Sequence, residues 1–290
     1  ANGPSCSQTR QQPMGERCVY EEAMFTDHVI ERLEAHNASR PLFLLWSMHL
    51  VHMPLQVPDS YLARFPAISD VHRRFMTAMV SFLDDEVGRV VAALRTRNML
   101  SSSLVVFHSD NGGEIMGAGV CGGNNWPLTG GKFSNFEGGI RVNAFVSGGW
   151  LPVSRAGIKL QALITVWDWL ATYAYIAGVD PTDTAAAAAG LPPHDSINQW
   201  PFLSGATAIP PRTELVIGDT SALEPDSDGE ALVGGLLRGE WKLLVGARDK
   251  FHTIDQYVQT GPDWPNASSH LVPLEHLKTC GRTPQNGCLF

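Results

Sequence analysis

Asp110 and Asn111 stand side by side ahead of Gly112 and Gly113, offering a carboxylate and a neutral amide oxygen on one short stretch. Hard cations such as Ca²⁺ take oxygen donors of this kind, and paired glycines let the backbone bend closely round an ion. The same tetrapeptide is also an ordinary turn, because Asp, Asn and Gly all favour turns. Its place at the end of an apolar run, before a long Gly-rich loop, keeps both readings open. His49 and His52 lie in a proline-bearing loop, a spacing that makes no metal clamp outside a helix. A histidine at such a place serves as a structural hydrogen-bonding residue or as an acid. Lys132 follows Thr129-Gly130-Gly131, where pliant backbone lets an ammonium reach an anion, although a solvated surface lysine fits equally. Arg141 is placed either to meet an anion or to pair with Glu137.

Two arrangements imitate chemistry. Cys6-Ser7-Gln8-Thr9-Arg10 is close to a Cys-x-Pro-x-Arg signature, but Gln8 stands where the proline belongs. Asp84 and Asp85 look like a metal-binding pair, yet they fall inside a helical pattern, where neighbouring residues diverge by about 100°. A solvated helix face explains them better. The five cysteines, at 6, 18, 121, 280 and 288, lack CxxC spacing and form no zinc signature. Cys280 and Cys288 bracket a Gly/Pro/Asn-rich loop that suits a local disulfide. Asn37-Ala38-Ser39 and Asn266-Ala267-Ser268 are sequons for N-glycosylation. Sequons and disulfide together point to a secreted, extracellular or lumenal setting, lysosome-like or periplasmic.

These residues need elements to position them. Residues 20–35 carry apolar residues at helical spacing (Met24, Val29, Ile30, Leu33) and predict a helix. Residues 42–48, LFLLWSM, are continuously apolar and predict a buried strand covered on both faces. Residues 71–100 predict a long amphipathic helix, residues 104–108 a second buried strand, residues 143–146 a third and residues 166–177 another helix. Strand, helix and strand in alternation predict an α/β fold with a mostly parallel sheet. The alanine-rich stretch 180–193 reads as a linker or surface loop. Beyond it LVIGD, ALVGGLLRG and EWKLLVG predict a small antiparallel sheet, so we divide the chain into residues 1–205 and 206–290.

The chain has 290 residues, 44% hydrophobic and 17% charged, enough to bury a sizeable core. Its net charge of −8 argues against nucleic-acid or anionic-membrane partners. No run of apolar residues is long enough to span a bilayer.

HMPLQVPDSYL, the helix through Leu83–Gly88, FHSDNGG, GGNNWPLTGGK, FEGGIR and GEWKLL occur here in an order and spacing that resemble the type I sulfatases, most closely the arylsulfatase B-like branch. The resemblance runs from about Gly15 to Trp241, and Cys288-Leu289-Phe290 looks like the start of a further family strand. It implies an alkaline-phosphatase-like α/β fold with a C-terminal antiparallel subdomain. It also implies sulfate-ester hydrolysis by a formylglycine nucleophile with a Ca²⁺ ion. By the same resemblance Asp110 and Asn111 are calcium ligands. Lys132 binds a sulfate oxygen, and His52 contacts the ester near its leaving oxygen. The family's Cys-x-Pro-x-Arg segment and its first calcium-binding aspartates belong to an N-terminal portion that this sequence does not carry. Cys121 and Thr129-Gly130-Gly131 depart from the family pattern. Two accounts follow: a part of a longer sulfatase whose N-terminal half covers the exposed sheet, or a catalytically inactive sulfatase-like binding or structural subunit. A phosphodiesterase or phosphonate hydrolase on the same fold is a third.

Overall fold

The computed structural model describes residues 19–115, 121–218, 234–245, 258–265, 272–273 and 288–289. They fall into two compact units, residues 1–148 with 248–278 and residues 149–247 with 279–290. This division lies elsewhere than the composition shift near residue 206.

The first unit is organised by two helices. Helix α1, Glu21–Ala35, buries Glu22, Thr26, Val29 and Leu33 along one stripe. Their 3.6-residue period is the one expected, but two members are polar, and Met24 is 54% exposed on the other side. After the single turn α2, Asp59–Leu62, helix α3 runs Val71–Thr96 and starts on Asp70, whose Oδ1 accepts from the Arg73 N–H at 2.9 Å. That cap satisfies one of the orphan donors of the first turn. Val29 and Leu33 meet Leu94 and Met99 in one apolar cluster, with Trp46 packed against it. A second cluster gathers Val57, Ala78, Met79 and Phe82, with Tyr20, Leu50, Val51 and Leu55 against it. Arg89 of α3 ties the two helices by bonding Asp27 of α1 and its own neighbour Glu86.

Residues 42–48 form no strand. Leu42, Phe43, Leu44 and Leu45 are exposed, and Trp46 alone of the run's large side chains joins the core next to it. A doubly covered strand needs ladder partners at its sides, and the strand pairs among the described residues do not include this run.

Strand β1, Val105–His108, pairs with β2, Ala144–Ser147, with Val105 opposite Ser147 and His108 opposite Ala144. The pairing is antiparallel, whereas the sequence predicts parallel neighbours. A parallel pair needs a crossover that returns the chain to the strand's starting end. Here the described residues of 109–143 hold one helix, the single turn α4, Glu137–Ile140, and the segment closes back at the end it left: Ser109 N–H donates to Asn143 O at 3.2 Å. All strand pairs among the described residues are antiparallel. Phe107 and Phe145, opposite each other, stack at 5.0 Å.

In the second unit helix α5, Asp168–Ala177, ends on Gly178 at φ +68°. The alanine-rich stretch folds as helix α6, Thr184–Ala188, because Asp183 caps it and alanine has the highest helix propensity. Helix α7, Trp200–Ser204, stacks Trp200 on Trp150 at 4.8 Å. Asp168 is fully buried and accepts from Thr165 N–H, Ile197 N–H, Gln199 Nε2 and the Nε and Nη2 of Arg212. Strands β3 (Glu214–Ile217), β4 (Gly234–Arg238) and β5 (Trp241–Val245) form the antiparallel sheet expected beyond residue 206, extended by Cys288–Leu289. Cys288 is disulfide-bonded. Cys280, the partner suggested by the sequence, lies outside the described residues, as do Asn266 and the Cys6–Arg10 segment.

Candidate active site

β1 delivers its carboxyl end directly into Ser109-Asp110-Asn111-Gly112-Gly113. Asp110 is exposed and Asn111 half-buried. Asp110 Oδ1 accepts from the Asn111 N–H at 2.8 Å, and Ser109 Oγ donates to Asn111 O at 3.0 Å, so the turn is tied to itself. The two glycines then thread under neighbouring backbone. Gly112 N–H donates to Gly139 O at 2.8 Å, and a Cβ built on Gly112 would stand 1.8 Å from Gly138 O. Only glycine permits that approach. Gly138 in turn donates its N–H to Thr129 O at 2.7 Å, and a Cβ there would lie 2.1 Å from Gly130 O.

Lys132 enters the same lattice through its main chain, donating its N–H to Gly113 O at 3.0 Å. Asn125 braces the space between. Its Oδ1 accepts from Gly113 N–H at 3.0 Å, and its Nδ2 donates to Gly113 O at 2.8 Å and to Gly130 O at 3.0 Å. Asn124 is the second brace. Its Nδ2 donates to the carbonyls of Gly261, Pro262 and Trp264, and its Oδ1 accepts from Trp126 N–H and Thr260 Oγ1. Trp264 Nε1 donates to Ile115 O at 3.3 Å. The structure thus brings Asp110, Asn111 and Lys132 together by backbone hydrogen bonds. The Lys132 ammonium lies 5.1 Å from the centroid of the Phe133 ring.

His52 is held by a separate set of contacts. Its backbone N–H donates to His49 O at 2.8 Å, and its Nδ1 lies 2.8 Å from Met53 O. A carbonyl only accepts, so Nδ1 carries the proton and Nε2 is the ring atom left for chemistry. The imidazole is exposed. Arg141 approaches Glu137 at 4.0 Å, the ion-pair alternative from the sequence. Asp85 is engaged by Tyr61 Oη at 2.8 Å and Arg64 at 2.9 Å on an exposed face. Asn37 is exposed, and its Oδ1 accepts from both the N–H and the hydroxyl of Ser39.

Sequence reasoning missed Glu22, Asn124 and Asn125. Glu22 is 4% exposed, and its Oε1 accepts from His49 N–H at 3.2 Å. Burial raises the Glu22 pKa, partly countered by the neighbouring His49. The available signal was a carboxylate in register with the apolar stripe Val29–Leu33 of α1.

Among the described residues no three His, Cys, Asp or Glu side chains gather into a metal site. Asp110 and Asn111 supply hard oxygen donors of the type Ca²⁺ prefers, two where that ion takes about six to eight. Their chemistry fits such an ion as part of a larger donor set.

A family model described as Sulfatase matches residues 4–179, and the chain belongs to that family. Over 154 residues, 53% of this chain and 25% of the relative, it is 36% identical to Arylsulfatase J of Mus musculus. It is 33% identical to N-acetylgalactosamine-6-sulfatase of Sus scrofa over 54% of this chain and 28% of that protein. The solved structure of Ps i-CgsB in complex with k-i-k-neocarrahexaose superposes with a TM-score of 0.65 at 25% identity, covering 81% of this chain and 48% of that one. The α/β, alkaline-phosphatase-like class implied by the resemblance therefore stands, with its antiparallel subdomain. The chain spans about a quarter of the curated relatives and about half of the solved structure.

Proposed function

We propose that this chain is part of a calcium-dependent sulfatase that hydrolyses sulfate esters, aryl or carbohydrate. The observation that carries the reading is the backbone lattice that holds Asp110, Asn111 and Lys132 in one assembly at the end of β1. The names of the relatives, an arylsulfatase and an N-acetylgalactosamine-6-sulfatase, support aryl or carbohydrate sulfates as the substrate class.

In this reading Asp110 and Asn111 are two of the calcium ligands. The ion, when bound, supplies positive charge that holds the sulfate group. Lys132 adds a fixed cation for a sulfate oxygen and for charge developing on the leaving oxygen. Such preorganised charge is worth most where it meets charge that grows in the transition state. His52 binds at the leaving oxygen as acid or hydrogen-bond donor, a role that requires a second proton on Nε2 because Nδ1 already donates to Met53 O. The formylglycine nucleophile, made from Cys or Ser, is assigned to another segment of a longer polypeptide. That N-terminal half is also the natural cover for the exposed run Leu42–Leu45. The setting is secreted, extracellular or lumenal. Among the described residues no helix is long and apolar enough to cross a membrane.

The test uses the full polypeptide carrying these residues and a chromogenic aryl sulfate. Lys132→Ala and His52→Ala are each expected to lower kcat by about 10²–10³-fold, the scale of losing one transition-state donor. Asp110→Ala with Asn111→Ala is expected to abolish the drop in melting temperature that EDTA causes in the wild type. Wild-type rates in the single variants would remove those residues from the site. A wild-type protein inert to all sulfate esters would support the binding-subunit account.

A further inference from the structure

We infer that Tyr20 and Glu22, in the first turn of α1 and at the residue before it, are the positioning residues for His52. The inference rests on the reading of His52 as a member of the sulfate-ester site. Residues 49–56 contain no helix or strand, so their shape depends on anchors from outside. Both anchors come from the start of α1. At one end Glu22 Oε1 accepts from the His49 N–H and lies 3.2 Å from His49 Nδ1. At the other end the Tyr20 hydroxyl donates to Gln56 O at 2.7 Å. Between them a single bond passes the position on, from His52 N–H to His49 O at 2.8 Å. Leu50, Val51 and Leu55 press on the apolar cluster that also receives Tyr20 and Ala23. The exposed ring of His52 is thus carried by a loop gripped at both ends.

Glu22 is an improbable choice for packing alone. It occupies a buried position in the stripe Glu22–Thr26–Val29–Leu33, and its Oε2 has no hydrogen-bond partner. Burial of a carboxylate without full pairing costs stability. An apolar residue would complete the stripe without that cost. What the carboxylate provides is an acceptor for His49. The charged groups facing it are His49 from the loop and Glu21 from its own helix, with Glu21 also 3.9 Å from His49 Nδ1. Local choices that oppose stability are characteristic of positions serving a site.

The experiment measures kcat, KM and melting temperature of the full polypeptide on an aryl sulfate, for wild type, His52→Ala, Tyr20→Phe, Glu22→Leu and Glu22→Gln. Tyr20→Phe and Glu22→Leu are each expected to lower kcat by about 10- to 100-fold with KM within about two-fold, because sub-ångström to 1 Å misplacement costs this much. Glu22→Gln is expected to restore most of kcat, since its side-chain carbonyl accepts the same N–H. Tyr20→Phe removes only a hydroxyl, so it decides the matter alone if Glu22→Leu does not fold. Wild-type kcat in folded Tyr20→Phe and Glu22→Leu, or a change confined to KM, overturns the inference while a collapsed His52→Ala leaves the site reading intact. A wild-type rate in His52→Ala overturns the site reading and the inference together.

Discussion

Burial by itself would raise the pKa of Asp168, but hydrogen bonds from Arg212 and from the Thr165 and Ile197 N–H groups outweigh it and hold the carboxyl below its ordinary value. A depressed carboxylate pKa means that the unfolded chain binds the proton more tightly. Its stability contribution is therefore present above the unfolded value near 3.9 and is lost as pH falls through the lower folded value. Urea midpoints measured from neutral pH into acid should fall below about pH 4 in the wild type. They should be flatter in Asp168→Asn, which leaves the Arg212 guanidinium buried without its counter-charge and should cost about 3–5 kcal/mol at neutral pH. Neither Asp168 nor Glu22 was legible as a buried acid. Each sits in the first turn of a helix, where acidic residues are expected for the helix dipole whether or not they are buried. Asp110, Asn111 and Lys132 stand out in the sequence as candidates because turn-forming and flexible residues surround each of them.

Among elements, the two long helices and strands β1 to β5 lie close to their expected bounds, because periodicity and apolar runs record burial directly. Pairing direction was not recorded. It depends on where residues 109–143 return, and that is decided by backbone contacts between glycines. The same contacts yield a prediction at this scale. Gly112→Ala puts a methyl into Gly138 O, so β1's exit loop must separate from α4. Overpacking of this kind costs about 1–3 kcal/mol. It should also lower aryl-sulfate turnover more than its effect on melting temperature would suggest, since the displaced backbone carries Asp110 and Asn111. Gly88→Ala, where a Cβ meets nothing within 4 Å, is the matched control and should leave both unchanged or slightly raise stability. The run 42–48 shows the reverse limit: its residues read as a core strand, but a sequence does not say which chain segment supplies the neighbouring strands.

For the molecule as a whole, Phe43 at 74% and Leu45 at 81% exposure make an apolar surface of the kind that drives association. Residues 1–290 produced alone should self-associate in light scattering at micromolar concentration, and Phe43→Lys with Leu45→Lys should reduce that association. Equal scattering by both would place the sticky surface elsewhere. The Asn124 brace has a different consequence, one of timing. Its partners Thr260, Gly261, Pro262 and Trp264 lie 136 to 140 residues further along the chain. A ribosome therefore releases the whole Lys132 loop, the β1–β2 pair and most of the second unit before the groups that fasten Asn124 exist. The bonds from Gly113 and Asn125 to the Lys132 loop are local and can form early, whereas the ties of Asn124 to residues 260–264 are among the last of the first unit to form during synthesis. A nascent chain stalled before residue 260 would present that loop with its local bonds but without its brace to the later segment.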